Sequence, residues 1–326
     1  MPLANFNDLL LDAKKNKYAV PCLVALNIEM AIGLILAAES KKSPIIIAFP
    51  PKVTQFIPSS LYIPFLISAA ENSSVPIAIE LDHGQDYKEI MNMLRCGASA
   101  VMFDGSDLDY DENVERTKEI VKVAHAFNLA VEAELGSVGG SVMEGGGNSS
   151  QLTDPGKVMD FISKTKVDAL AVSIGNMHGK YKSDPKLDLE RLREISSITD
   201  TPLVLHGGSG LTVQDYNNVM KNGISDVHFY SYLAADVWPH IKKKAEALGK
   251  NPVYHEIMEW TIEYYIKAGG DVMDILESSQ KASVCSGKSL FSEMLTQSKP
   301  SSKLNVSELD VEKLTKLILE VISQQK

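Results

Sequence analysis

A closed (β/α)8 barrel is the fold this sequence predicts, and three observations point to it. Short apolar runs alternate with longer amphipathic stretches, several of the runs are rich in Val and Ile without polar alternation, and eight such units fit into about 230 residues. A run with no polar alternation is a strand covered on both faces, as in a parallel sheet sheathed by its crossover helices. An open doubly wound sheet fits a count of eight less well.

The strands are expected near Tyr18 to Val24, Pro44 to Phe49, Pro76 to Leu81, Ala100 to Phe103, Ala130 to Glu134, Ala169 to Ile174, Leu203 to Leu205 and Asp226 to Phe229. Between them, segments such as Asp86 to Leu94, Asp111 to Phe127 and Val213 to Asn222 carry apolar residues at helical spacing and close on Gly or Asn. The barrel is assigned to residues 1–277. From 278 to 326 the character changes: a Ser- and Lys-rich stretch, QKASVCSGKSLFSEMLTQSKPSSKLN, leads into ELDVEKLTKLILEVISQQK, which reads as one amphipathic helix. This is an appended C-terminal extension and not a second catalytic domain, and no repeat of solenoid period is visible.

Composition narrows the function. In 326 residues, 44% hydrophobic and 23% charged are ordinary globular values, and no apolar run approaches the roughly 20 residues of a membrane-spanning helix. A net charge of -10 argues against nucleic acid as a partner, because phosphate neutralisation needs surplus Lys and Arg. The start, MPLANFNDLLLDAKKNKYAV, lacks the pattern of a secretory signal, and Cys22, Cys96 and Cys285 are an odd, widely spaced set, so a reducing cytoplasm is expected. Without paired Cys spacing, a metal would be held by His and carboxylates.

In such a barrel the working residues project from the C-terminal ends of the strands. The third run delivers Asp82-His83-Gly84, the sixth is followed by Asn176-Met177-His178-Gly179, and the seventh delivers His206-Gly207-Gly208-Ser209-Gly210. Three imidazoles arriving at one mouth suit a catalytic zinc that keeps an open position, whereas His125, His240 and His255 lack that placement and read as surface or packing residues. Asp82, directly before a ligand, is placed to move a proton on a bound oxygen. Asp104, Glu132 and Glu134 reach the same rim. Alternation puts both glutamates on one side of their strand, facing the mouth or pairing with Lys or Arg in the barrel wall. The glycine run after the seventh strand, with Ser209, offers backbone N–H groups to a phosphate, and Lys182 offers a positive charge.

The motifs LDHG, EAELGSVGG, LTDP, NMHGKY and LHGGSG resemble, in order and spacing, those of the class II, metal-dependent ketose-bisphosphate aldolases, over about residues 1 to 275. The resemblance implies zinc on His83, His178 and His206, Asp82 as acid/base on the hydroxyl whose C–C bond breaks, and an alternate metal position beside Asp104 and Glu134. It further implies that Gly179, Lys182, Gly207 and Ser209 hold the donor phosphate and a monovalent cation, and that the protein is a homodimer or homotetramer.

Departures from the family pattern cluster around the same substrate. The family's Asn in strand one is Val24, the Ser after strand two is Pro50, and Lys-x-Asn-x-x-Thr after strand eight is Asp226 through Ser231, so His228 replaces the Asn and Ser231 the Thr. Where the family's loop motif Gly-Gly-x-Glu-Asp has the Glu that shuttles the donor's carbon proton, this chain has Gly139-Gly140-Ser141-Val142-Met143, and Glu144 lies nearby as a substitute or as a solvated charge. His228 has three readings, in order of preference: hydrogen-bond donor in place of Asn, acid/base, or metal ligand. The leading functional expectation is zinc-dependent aldol cleavage of a phosphorylated ketose, such as fructose 1,6-bisphosphate, to a dihydroxyacetone-phosphate-like donor and an aldehyde. A weakened paralogue that binds sugar phosphate as a regulatory subunit is the competing one, and a barrel metallo-hydrolase or isomerase the third.

Overall fold

A computed structural model describes residues 3–50, 57–140, 150–179, 181 and 185–282. Eight parallel strands close into a barrel: β1 (Val20–Val24), β2 (Ile45–Phe49), β3 (Ile77–Gly84), β4 (Ala100–Phe103), β5 (Ala130–Leu135), β7 (Ala169–Val172), β9 (Leu203–Leu205) and β10 (Ile224–Phe229). They neighbour one another in chain order, and β10 returns to β1 through pairs such as Cys22 with His228. Two short strands, β6 (Gly139–Gly140) and β8 (Met177–His178), pair with each other above the barrel. The eight expected runs are the eight barrel strands.

The helices are α1 (Phe6–Asn16), α2 (Ile28–Lys41), α3 (Ser59–Glu71), α4 (Tyr87–Cys96), α5 (Tyr110–Ala126), α6 (Pro155–Thr165), α7 (Leu189–Ile198), α8 (Val213–Lys221), α9 (Ser231–Leu248) and α10 (Tyr254–Ile275). Local chemistry sets several of their ends. Asn27 accepts from the Met30 amide to start α2, Asp154 caps α6 ahead of Pro155, and Thr212 with Asp215 makes a reciprocal capping box on α8. The LTDP segment is thus explained as an architectural motif: Asp154 caps the helix, and Thr153 Oγ1 accepts from the Ser173 amide next to β7.

Alternation along the strands separates two cores. Outward residues such as Leu23, Ile47, Ile79, Val101, Val131 and Leu170 pack under the helices. Inward residues Val20, Cys22, Val24, Ile46, Ala48, Ala78, Ala100, Met102, Ala130, Ala169, Ala171 and Val204 fill the barrel. The many alanines leave room higher up for larger polar side chains. Below, α1 turns Phe6, Leu9, Leu10 and Ala13 onto this inner cluster, and Ala4 N donates to Ile77 O at the start of β3. The N-terminal end of the barrel is therefore stoppered by α1.

On the outside, α10 lies along α2. A side chain at Gly33 would meet Tyr265 Cβ at 2.6 Å, so the crossing needs glycine there. After α10, Gln280 N and Ala282 N donate to Lys41 O and Lys42 O, and Ser43 Oγ donates to Ser278 Oγ. The chain beyond the expected boundary at 277 thus still belongs to the barrel's packing through Ala282. The expected C-terminal helix falls in 283–326, outside the described residues. None of the described helices is long and apolar enough to cross a membrane.

Candidate metal centre and active site

Asp82 and His83 lie at the end of β3, His178 on β8 and His206 directly after β9, all buried. Each of the three imidazoles offers a ring nitrogen, and the three nitrogens lie within 4.8 Å of one another. The ring centroids are 4.6 Å apart for His83 and His206, 4.9 Å for His83 and His178, and 5.7 Å for His178 and His206. His83 holds a left-handed backbone, φ 53°, a region that few residues besides glycine, Asn, Asp and His adopt.

Behind the rings stand carboxylates. Asp104 Oδ2 is 2.9 Å from His83 Nδ1, and Glu132 Oε1 is 2.8 Å from His206 Nε2. The opposite nitrogens, His83 Nε2 and His206 Nδ1, make no hydrogen bond although buried. A carboxylate that fixes one nitrogen of His83 and another that fixes one of His206, each leaving the opposite nitrogen without a hydrogen bond, are the outer partners that metal-binding histidines ordinarily have. The residues present therefore fit a divalent metal. Burial holds His206 and His178 well below the usual imidazole range, which keeps them neutral, as ligands must be. For His83 burial works in the same direction, but the charges of Asp82 and Asp104 outweigh it and raise the ring to about 9.

Asp82 Oδ1 is 3.7 Å from His83 Nε2, 4.0 Å from His206 Nδ1 and 3.4 Å from His228 Nδ1. Against the opposing effect of burial, His83 and His228 hold its carboxyl well below the ordinary range. Asp104 and Glu134 join His83 in a second grouping, again with ligand atoms within 4.8 Å. Glu134 accepts from the Val138 amide at 2.8 Å, and burial, then the Asp104 charge, pushes it up to about 8.

A pocket opens over this floor, lined by Val24, Pro50, Asp82, His178, His206, Gly207, Ser209, His228, Phe229 and Tyr230. The substituted positions Val24, Pro50 and His228 thus share one cavity with the histidines. Gly207, φ 63°, lets its loop pass the β8 backbone: a Cβ there would stand 2.2 Å from Met177 O. Ser209 Oγ accepts from Tyr230 N at 3.1 Å, and the nearby Ser231 begins α9. Gly208 departs from the expected phosphate cradle. Its amide donates to His228 O at 3.1 Å, and a Cβ would clash with Val227 at 2.4 Å, so Gly208 serves close packing of loop on strand. Gly179, φ 89°, ends β8, whereas Lys182, Val142 and Glu144 lie outside the described residues.

Two other expectations are revised. Glu132 faces the interior, as strand alternation allows, but its partner is His206 and not a wall Lys or Arg. Cys22, set aside because no paired Cys spacing exists, faces inward beside Glu80, 3.6 Å away. Sequence reading also passed over Asn176, whose buried side chain accepts from Ile174 N and donates to His206 O at 2.9 Å, tying the loop after β7 to the one after β9. Tyr181 donates to Gly207 O at 3.0 Å and braces the same loop. Both lie in or beside the NMHGKY motif, where a role was assigned only to His178, Gly179 and Lys182. His125 and Asp168 pair at 2.9 Å on the outer surface, away from the mouth.

With this geometry in place, comparison with known proteins is decisive. Residues 4–281 match the family described as fructose-bisphosphate aldolase class-II. The chain belongs to the class II fructose-bisphosphate aldolases. It is therefore a lyase of the aldolase type. A fructose-bisphosphate aldolase of Staphylococcus aureus is 33% identical over 231 residues, 70% of this chain and 81% of the relative. Among solved structures, the YdjI aldolase of Escherichia coli superposes with a TM-score of 0.78 at 29% identity, covering 86% of this chain and 99% of its own. A putative fructose-1,6-biphosphate aldolase of Coccidioides immitis gives 0.77 at 30% identity, covering 85% and 97%.

Proposed function

We propose that this aldolase is zinc-dependent and cleaves a phosphorylated ketose reversibly to a dihydroxyacetone-phosphate-like donor and an aldehyde, in a donor pocket reshaped by Val24, Pro50 and His228. The observation that carries this reading is the convergence of His83, His178 and His206 with Asp104 and Glu132 behind two of them and Asp82 beside them. His83, His178 and His206 would hold the zinc, with Asp104 and Glu134 beside an alternate position. Bound there, zinc supplies a Lewis acid that polarises substrate oxygens and stabilises developing negative charge, so that no Schiff-base lysine is needed.

The chain's own residues do the rest. Asp82, held ionised, accepts the proton of the hydroxyl next to the breaking C–C bond and returns it in the synthetic direction. His228, 3.4 Å from Asp82, helps to hold that carboxylate ionised before the proton arrives and stands where the family's Asn would meet the donor. Gly179, Gly207, Ser209 and Ser231, with Lys182, are assigned to the phosphate, and Glu144 to the carbon proton. Val24 and Pro50 present apolar surface to the pocket, which favours a donor with fewer hydroxyls on that side. A monovalent cation at the phosphate, a homodimer or homotetramer and a cytoplasmic location complete this reading.

Proton NMR of the zinc-loaded protein in D2O tests it, with fructose 1,6-bisphosphate and, separately, dihydroxyacetone phosphate. Triose release with deuterium uptake on the donor carbon is the expected result. Zinc-loaded protein silent toward both of these and toward a panel of other ketose phosphates would overturn the assignment as an active aldolase.

A further inference from the structure

One inward-facing position below Asp82, the barrel holds a second group of ligand-bearing side chains. Cys22 on β1, Glu80 on β3 and Asp226 and His228 on β10 each offer one donor atom, and the four atoms lie within 4.8 Å of one another. Cys22 Sγ is 3.6 Å from Glu80 Oε2, and His228 Nε2 is 3.8 Å from that oxygen and 3.5 Å from Asp226 Oδ2. Nitrogen-to-oxygen separations of this size are too long for good hydrogen bonds. They do match the edges of a tetrahedron: metal–ligand bonds of about 2.0–2.3 Å place neighbouring donors about 3.3–3.8 Å apart.

Burial adds an independent constraint. Cys22, Glu80 and Asp226 are 0% exposed and His228 5%. Asp226 Oδ1 and Oδ2, Glu80 Oε1 and His228 Nε2 nevertheless make no hydrogen bond. Glu132 adds a third fully buried carboxylate close by, and its bond goes to His206. Among the described residues, the ion-pair contacts of Glu80, Glu132 and Asp226 are to histidine, with no Lys or Arg in reach. Buried carboxylates without such partners are costly to keep ionised unless a cation sits among them. One thiol, one imidazole and two carboxylates form a donor set suited to zinc.

We propose that Cys22, Glu80, Asp226 and His228 form a second divalent-metal site, four-coordinate and closed, beneath the histidine triad. Binding displaces to solvent the Cys22 thiol proton and any proton on the other three donor atoms, and the site ties β1, β3 and β10 together across the barrel interior. Because Nε2 of His228 takes the metal, Nδ1 keeps the proton and faces Asp82 Oδ1 at 3.4 Å. The inner site thereby fixes the tautomer of the residue next to the proposed acid/base. This inference rests on the inner residues alone and does not depend on the reaction assigned above.

The full-length chain, stripped with a chelator and reconstituted with cobalt(II) or zinc, provides the test through elemental analysis and the near-ultraviolet thiolate-to-cobalt charge-transfer band. Two metals per chain and a charge-transfer band are expected. Cys22→Ser should abolish the band and reduce two metals to one, and the near-isosteric Asp226→Asn should do the same. His83→Ala should also leave one metal, but with the band intact. Cys96→Ser and Cys285→Ser should leave the band unchanged. A single metal without the band in the unaltered protein, or a band that survives Cys22→Ser, overturns the proposal. A single metal that carries the band and survives His83→Ala supports the inner site and overturns instead the triad as metal ligands.

Discussion

Glu132 Oε1 and His206 Nε2 meet at 2.8 Å across the barrel interior, joining β5 to the loop that follows β9. The contact fixes which nitrogen of His206 points into the active site, because the bonded one is spoken for. Glu132→Gln keeps the shape but removes the charge behind the ring. The change should weaken zinc binding by about 10–100-fold, read by competition with a chromophoric chelator. Unaltered affinity would show that Glu132 does not govern His206 as a ligand.

Substitution of Asp82 should separate binding from chemistry. Asp82→Asn is nearly isosteric and leaves all three imidazoles, so the zinc content should stay at the level of the unaltered protein. Turnover should fall by about 10²–10⁴-fold, the range of a positioned general acid/base. A variant that loses metal and activity together would place Asp82 among the ligands.

Chelation should destabilise the protein. A ligand that binds only the folded state adds about 2.7 kcal/mol when present at one hundred times its Kd. Thermal melting with and without a chelator should show a lower Tm after metal removal, and His83→Ala should shrink that difference.

Gly207→Ala places a Cβ 2.2 Å from Met177 O at a left-handed position. The β9 loop must move, at a cost of about 1–2 kcal/mol from the backbone alone. The KM for a phosphorylated substrate should rise more than the KM for its unphosphorylated analogue, since this loop is assigned to the phosphate. Equal effects on both would remove Gly207 from the phosphate site.

Far from the mouth, Phe161 of α6 is fully buried in the outer core. Phe161→Ala should cost about 3–5 kcal/mol in urea unfolding while the zinc stoichiometry of the folded protein is unchanged.

The barrel was legible because β-strands that are buried on both faces leave apolar runs such as Ile45–Phe49, which no amphipathic helix imitates. The histidines were legible for a related reason, as each comes at or after the C-terminal end of an apolar run. What the order of residues concealed is distance across the interior. His206 and Glu132 are 74 positions apart, and Cys22 and Glu80 are 58 apart, so their contacts exist only once the sheet closes. Strand alternation alone would have turned Glu80 to the same side as Asp82, and that signal was available. Gly208 misled for the opposite reason: a glycine run reads as an anion cradle, yet one of its amides is consumed by the neighbouring strand.

The α1 stopper has a consequence for the order in which things leave. With Phe6, Leu9 and Leu10 packed over the far end, the way to the polar floor among the described residues is the pocket bordered by Val24, Pro50 and Tyr230, the neck of a vessel. Whatever lodges deepest must depart last. An occupant of the pocket corks the traffic of everything beneath it, so exchange of a buried ion should proceed in the intervals between turnovers and slow as substrate saturates the neck.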